Sequence, residues 1–238
     1  MNKGVLDIGN TRIKAAVFNP DGHLSERAYF LTLVNAIEWF RSHQVSAILS
    51  ASVAQAEMPP IHNIDTYSLT YKSELPFQNL YQSPETLGVD RIAVMAEAAI
   101  EFPGQAVLVF DIGTCMTIDF LHPDGRYFGG NISPGIEMRW KAMHTMTQRL
   151  PLANKYEYSG FMGSNTLSAL ASGVIDGMRL EIEGYMQHYS TLFPNLNIVM
   201  CGGDAAHFDK PYKYKIFAAP DFVLKGLYHL LLLNEKKD

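Results

Sequence analysis

The chain has 238 residues, 47% hydrophobic and 18% charged, with a formal net charge of −5, which allows a sizeable core and excludes a disordered polymer. No Lys/Arg block occurs beyond the terminal Lys236-Lys237, so no phosphate-backbone footprint is expected and nucleic acid is not the expected partner. Two cysteines, Cys115 and Cys201, without metal-ligand spacing, exclude a disulfide framework and a zinc cluster and point to a reducing compartment.

In chain order, Val5 to Ile8 reads as a short strand, Gly9-Asn10-Thr11 as a turn and Ile13 to Phe18 as a second strand. Asn19-Pro20-Asp21-Gly22 is a second turn, before a third strand from His23 to Phe30. Val34 to His43 has helical spacing, Val45 to Val53 is an apolar strand, and Ile64 to Leu69 is a weaker one. A helix is expected to start near Pro84-Glu85-Thr86 and to continue through the alanine-rich stretch Ile92 to Phe102, until Pro103-Gly104 ends it. The domain boundary is placed there, giving domains 1–104 and 105–238. The second half runs through a strand from Ala106 to Asp111, another strand–turn–strand unit, a helix from Ile136 to about Thr147, and a loop from Leu150 to Gly163. A long helix from Ser164 to about Leu192 follows, whose Gly173, Gly177 and Gly184 suggest close packing. A strand from Asn197 to Cys201 and a final helix from Asp221 to Asn234 complete it. Alternating strands and helices in both halves predict an α/β fold. The start of the chain, Met1 to Asp7, lacks the apolar region of a signal peptide, and Leu230 to Leu233 is too short to cross a bilayer, so a cytoplasmic protein is expected.

The two halves share a motif. Asp7-Ile8-Gly9-Asn10-Thr11 is followed by a strand and Asn19-Pro20-Asp21-Gly22; Asp111-Ile112-Gly113-Thr114-Cys115 is followed by a strand and His122-Pro123-Asp124-Gly125. The Asp-to-Gly spacings differ by one residue. An Asp at a strand end can hold Mg²⁺ directly or through water, the Gly lets backbone approach a phosphate, and the turn amides form an anion nest. One copy reads as a tight turn only. Two copies in matching contexts favour a pair of phosphate hairpins that clamp a nucleotide in an interdomain cleft. No Walker motif and no Gly-x-Gly-x-x-Gly occurs, which disfavours P-loop kinases, protein kinases and dinucleotide enzymes.

Other segments admit two readings each. Gly88-Val89-Asp90-Arg91 opens a helix, where Asp90 is partly accounted for by the helix dipole; a kinase acting on an alcohol also needs such a carboxylate to accept the hydroxyl proton. Gly129 to Gly135 either admits a ligand at a helix N-terminus or simply connects strand to helix. Gly163-Ser164-Asn165-Thr166 has capping chemistry, and Gly202-Gly203-Asp204 is either an adenine-facing backbone or a plain turn. The histidines lack metal spacing, and no Gly-x-Ser-x-Gly elbow is present.

In these motifs the chain resembles the type III pantothenate kinase family. The resemblance rests on Asp7 to Thr11 with Lys14, on Gly88-Val89-Asp90-Arg91, on Asp111-Ile112-Gly113-Thr114 with Thr117, and on Gly129-Gly130-x-Ile132-x-Pro134-Gly135, in the family's order. It implies two ribonuclease H-like (actin-like ATPase) domains, each a mixed sheet flanked by helices, and ATP-dependent phosphorylation of pantothenate, the first step of coenzyme A biosynthesis. By the same resemblance, Asp7, Ile8, Gly9, Asn10, Thr11, Arg12, Ile13 and Lys14 form the ATP phosphate loop, and Thr114 is a second nucleotide contact. Asp111 is the ligand of a monovalent cation, K⁺ or NH₄⁺, and Asp7 holds Mg²⁺ through water. Asp90 is the proton acceptor, and Tyr81, Gly88, Val89, Asp90, Arg91 and Thr166 contact pantothenate. A homodimer is implied, with Thr166 reaching the partner subunit's substrate. Cys115 and Met116 depart from the small residues usual after the second Asp-x-Gly-Thr. Two alternatives stand beside this reading: a catalytically weak transcription accessory homologue, and a kinase for another small hydroxy-acid or sugar.

Overall fold

Strand and helix alternate along the chain because short continuous apolar runs, such as Val107 to Phe110, alternate with stretches whose apolar residues recur near a period of 3.6. The computed structural model describes residues 1–9, 12–52, 58–208 and 212–235. Asn10, Thr11, Val53 and the Lys236-Lys237 pair, all named above, lie outside these residues. The chain packs into two units, Met1–Gly104 with Leu121–Gly129 and Asp221–Asp238, and Gln105–Phe120 with Gly130–Pro220.

The first unit is built on a sheet of β1 (Asn2–Ile8), β2 (Ile13–Phe18), β3 (Leu24–Phe30), β4 (Val45–Ser52) and β5 (Asp65–Ser68), in the order β3-β2-β1-β4-β5. β1 to β3 form an antiparallel meander, and β4 then returns parallel to β1. The crossover is α1 (Leu33–Ser42), whose Thr32 cap accepts the Asn35 N–H. Leu6, Ala15 and Val17 from the sheet meet Ala36 and Phe40 of α1 in one cluster. Strand β6 (Gln78–Asn79) is two residues long, and α2 (Val89–Glu101) covers the sheet together with the C-terminal helix described below. A short 3-10 turn, Pro84–Thr86, precedes α2 but is not part of it. The helix therefore begins at Val89, and the Leu87-Gly88 break places Asp90 in its first turn.

The second sheet contains β7 (Val107–Ile112), β8 (Cys115–Leu121), β9 (Arg126–Pro134), β10 (Asn197–Cys201) and β11 (Ile216–Ala218), in the order β11-β10-β7-β8-β9-β6. Reversed, the first five read β9-β8-β7-β10-β11, which is the order of the first sheet element for element. Its return strand β10 is also parallel to β7, as β4 is to β1. The repeated sequence motif is thus a repeated fold. The two distal turns match in detail. Gly22 and Gly125 both lie in the left-handed region, at φ +84° and +82°, and donate to Asn19 O and His122 O at 3.0 and 2.9 Å. Helices α3 (Ile136–Met146) and α4 (Thr166–Leu192) bury Trp140, Val174 and Met178 against this sheet. The Trp140 indole donates to Leu170 O at 3.2 Å, so its burial leaves no donor unsatisfied.

Helix α5 (Phe222–Asn234) packs on α2, β1 and β4 of the first unit. Its buried Leu227, Leu230 and Leu231 explain its apolar stripe, and His229 Nδ1 lies 2.6 Å from the buried Glu97. One expectation is corrected in α4. Gly173, Gly177 and Gly184 do not break the helix, but neither are they closely packed, because a Cβ at each would meet nothing within 4 Å. The loop from Leu150 to Gly163 contains a 3-10 turn, Lys155–Glu157, held by an Asn154 capping box.

Candidate active site

Asp7 stands at the end of β1, where pairing with β2 sets it opposite Lys14. Lys14 Nζ is 3.6 Å from Asp7 Oδ2, and the two side chains are 27% and 15% exposed. Burial pushes the Asp7 carboxyl above the ordinary carboxylate range; Lys14 pulls it back, and Asp90 pushes it further up. The Asp90 charge thus acts on Asp7 from more than eighty positions away in sequence, within the first unit. Arg12 lies over the Tyr29 ring at 4.8 Å, Ile13 is buried, and Ile8 is half-buried. The Gly9 N–H donates to Arg12 O at 3.3 Å, so this amide closes the turn.

Asp90 Oδ1 accepts the Arg91 N–H at 2.8 Å, in the first turn of α2. Gly88 caps that helix, and a Cβ there would come within 2.4 Å of Asp90 Oδ1. Val89 is half-buried beside them. Arg91 is almost wholly buried, and its guanidinium lies over the Tyr81 ring, 5.6 Å from the centroid. Tyr81, Gly88, Asp90 and Arg91, grouped on sequence grounds, are therefore neighbours in space.

In the second unit, Asp111 and the exposed Thr114 flank the corresponding turn, where the Gly113 N–H donates to Cys115 O at 2.9 Å. The glycine segment after β8 grips this turn. Gly135 donates to Thr114 O at 3.1 Å, and a Cβ on Gly135 would come within 2.1 Å of Gly113 O. Gly202, after β10, lies against the Asp111 carboxylate, with Asp111 Oδ1 2.5 Å from where its Cβ would be. Arg139 of α3 donates to Pro134 O and Ser133 Oγ, both at 2.8 Å, and pairs with Glu181. The capping expectation at α4 holds: Asn165 and Ser168 form a reciprocal capping box. Thr166 is exposed and lines a groove of about 1090 Å³ with Pro134, Met138 and Met146.

Among the described residues, no group of three or more His, Cys, Asp or Glu side chains could hold a metal ion, and no helix is long and apolar enough to cross a membrane. Cys115 and Cys201 form no disulfide with each other. One buried residue escaped the sequence reading. Tyr127 of β9 is fully buried and stacks on Tyr81. Only its place on the strand beside the glycine segment could have suggested it.

Two mixed sheets with one strand order, each with an Asp near the carboxyl end of its first strand, define an α/β protein of the actin-like ATPase fold, the fold of the sugar kinases. Solved structures agree. One described as a Baf family transcriptional activator from Campylobacter jejuni superposes with a TM-score of 0.63 at 22% identity, covering 98% of both chains. The activator of the 2-hydroxyisocaproyl-CoA dehydratase from Clostridium difficile, with bound ADPNP, gives 0.57 at 11%, covering 100% of this chain and 97% of that one. The sequence profile described as Type III pantothenate kinase matches residues 5–188. The type III pantothenate kinase of Flavobacterium johnsoniae is 37% identical over 93% of this chain and 94% of its own length. That of Phocaeicola vulgatus is 37% identical over 98% of each. The chain belongs to the type III pantothenate kinase family, and is a kinase.

Proposed function

We propose that this chain transfers the γ-phosphoryl group of ATP to the terminal hydroxyl of pantothenate, as a cytoplasmic homodimer and as the first step of coenzyme A biosynthesis. The observation that carries the reading is the Asp7–Lys14 pair at the end of β1, with the Asp90 charge acting on Asp7 within the first unit, together with family membership. Residues 1–104 and 105–238 are proposed as its two actin-like ATPase domains, with α5 returning to the first.

In this mechanism Asp90 accepts the hydroxyl proton as the oxygen attacks the γ-phosphorus in line. Its bond from the Arg91 N–H orients the carboxylate at the helix start without removing its charge. Arg91 pairs with the substrate carboxylate. Tyr81, Gly88, Val89 and Thr166 complete the substrate contacts. The loop from Asp7 to Lys14, including Asn10 and Thr11, takes the ATP phosphates, and Thr114 is a second nucleotide contact. Lys14 supplies positive charge beside them. The residues fit Mg²⁺, since it is commonly held by one or two carboxylates plus substrate phosphates, and Asp7 is a buried carboxylate that gains from a cation. Asp111 is the proposed oxygen ligand for K⁺ or NH₄⁺. When bound, the cations neutralise charge on the phosphates.

The test is ADP release by purified protein with ATP, Mg²⁺ and K⁺, comparing pantothenate with a panel of alcohols and sugars. ADP release is expected with pantothenate and should fall when K⁺ is replaced by a bulky organic cation. ADP with sugars alone would assign another acceptor; none with any acceptor would favour the accessory-factor reading.

The homodimer is supported by the face of α4 on which Gly173, Gly177, Leu180 and Gly184 recur at helical spacing. Space beside the glycines is open, and Leu180 is 56% exposed. The mass in solution is expected to be that of two chains. Leu180→Glu should shift it to one chain in light scattering, and an unchanged dimer would remove α4 from the interface.

A further inference from the structure

We propose that Tyr127 and Gly129 of β9 are positioning residues that hold the Tyr81 ring beneath the Arg91 guanidinium and so tune the affinity for pantothenate. This inference rests on the proposed function of the site, in which Arg91 meets the substrate carboxylate.

Tyr81 has little of its own to stand on. It follows the two-residue strand β6, whose partner is β9, with Asn79 paired to Tyr127. Leu80 N–H donates to Tyr127 O at 2.8 Å, and the Tyr81 N–H is taken by the Asn79 side chain at 3.1 Å. The ring is then fixed on two sides by β9. Tyr127, wholly buried, stacks on it at 6.5 Å between centroids and 18° between planes, and is itself backed by the edge of Phe77 at 5.8 Å. At Gly129 the backbone has φ +118°, and a Cβ would lie 2.8 Å from two carbons of the Tyr81 ring. A side chain there is strained and also displaces the ring. The Arg91 guanidinium carbon lies over the Tyr81 ring, 5.6 Å from its centroid. Phe77, Tyr127, Tyr81 and Arg91 thus form a run of contacts, edge-on at Phe77 and stacked between the two tyrosines, and Gly129 leaves room for it. A guanidinium held over an aromatic ring keeps its fork pre-organised for a carboxylate. All these residues belong to the first unit.

Steady-state kinetics of Gly129→Ala and Tyr127→Leu test the assignment. The pantothenate KM is expected to rise about tenfold in each, with kcat and the ATP KM close to wild type. Tyr127→Phe, which keeps the ring, should return the KM to near its original value. If Gly129 acts through Tyr81, Gly129→Ala adds nothing to Tyr81→Ala in the double variant. Additive effects, or equal rises in both KM values, would overturn the proposal. A wild type that releases no ADP with pantothenate would instead sink the functional reading. The stack is then decided by a crystal structure of Gly129→Ala: the ring displaced from Arg91 supports the positioning role, and an unmoved ring overturns it. Should Gly129→Ala fail to fold, Tyr127→Leu with its Phe counterpart carries the same comparison.

Discussion

Asp90→Asn should lower kcat by about 10²- to 10⁴-fold, the usual worth of a positioned proton acceptor, while ATP binds as before. The substitution is nearly silent for the fold. An asparagine oxygen can still accept the Arg91 N–H that Asp90 Oδ1 takes at 2.8 Å, and the half-buried position in the first turn of α2 is kept. What is lost is the carboxylate's capacity to take a proton as the alcohol attacks. The change also removes a negative charge from the surroundings of Asp7, so the Asp7 carboxyl should titrate lower in the variant. Single-turnover measurements separate chemistry from binding. Turnover near the wild-type value, with the protein folded and ATP bound, would exclude Asp90 as the acceptor.

The second large effect combines loss of function with gain of stability. Asp7→Asn should cost at least about 10²-fold in turnover, because it deletes the charge proposed to organise the phosphate end. The ligand-free variant should nevertheless melt higher than wild type at neutral pH. The Asp7 carboxyl is pushed above its unfolded value of 3.8, chiefly by burial. The folded state therefore holds that proton more tightly than the unfolded chain does. As pH rises from 3.8 through the folded value, ionisation costs the native state more than the unfolded one, and stability is lost. Above that window the cost is constant; below 3.8 it vanishes. The asparagine has no such cost, so the difference in Tm should be positive at neutral pH, about 2–4 °C for each kcal/mol relieved, and should close on acidification. Lys14 loses its partner but keeps access to water at 27% exposure, so little is forfeited there. A variant that melts lower than wild type at neutral pH would refute the account of Asp7 as a strained, buried charge.

Local chemistry was legible at the motifs. The Asp111-Ile112-Gly113 turn and the distal Pro-Asp-Gly turns depend on residues within a few positions of one another, and backbone sterics allow them few conformations. The duplication was also readable, because both copies keep the same turn residues at nearly the same spacing; the shared strand order then followed from it. Short strands escaped. β6 has two residues and β11 three, too few for a period to show, and both are held by the neighbour they pair with rather than by their own pattern. That no other segment of the chain packs on the α4 glycines was not readable for a related reason, since small residues at helical spacing look the same whether a neighbour lies there or not.

What the amino-acid order determined by itself was therefore the family, the doubled α/β plan and the residue types able to handle a phosphate. Tertiary structure alone decided that Asp7 and Asp90 share one electrostatic environment and that burial raises the Asp7 carboxyl. It also decided that Tyr127 and Gly129 hold Tyr81 against Arg91. Such relations depend on desolvation and close approach between segments distant in the chain, and neither quantity exists until the chain has folded.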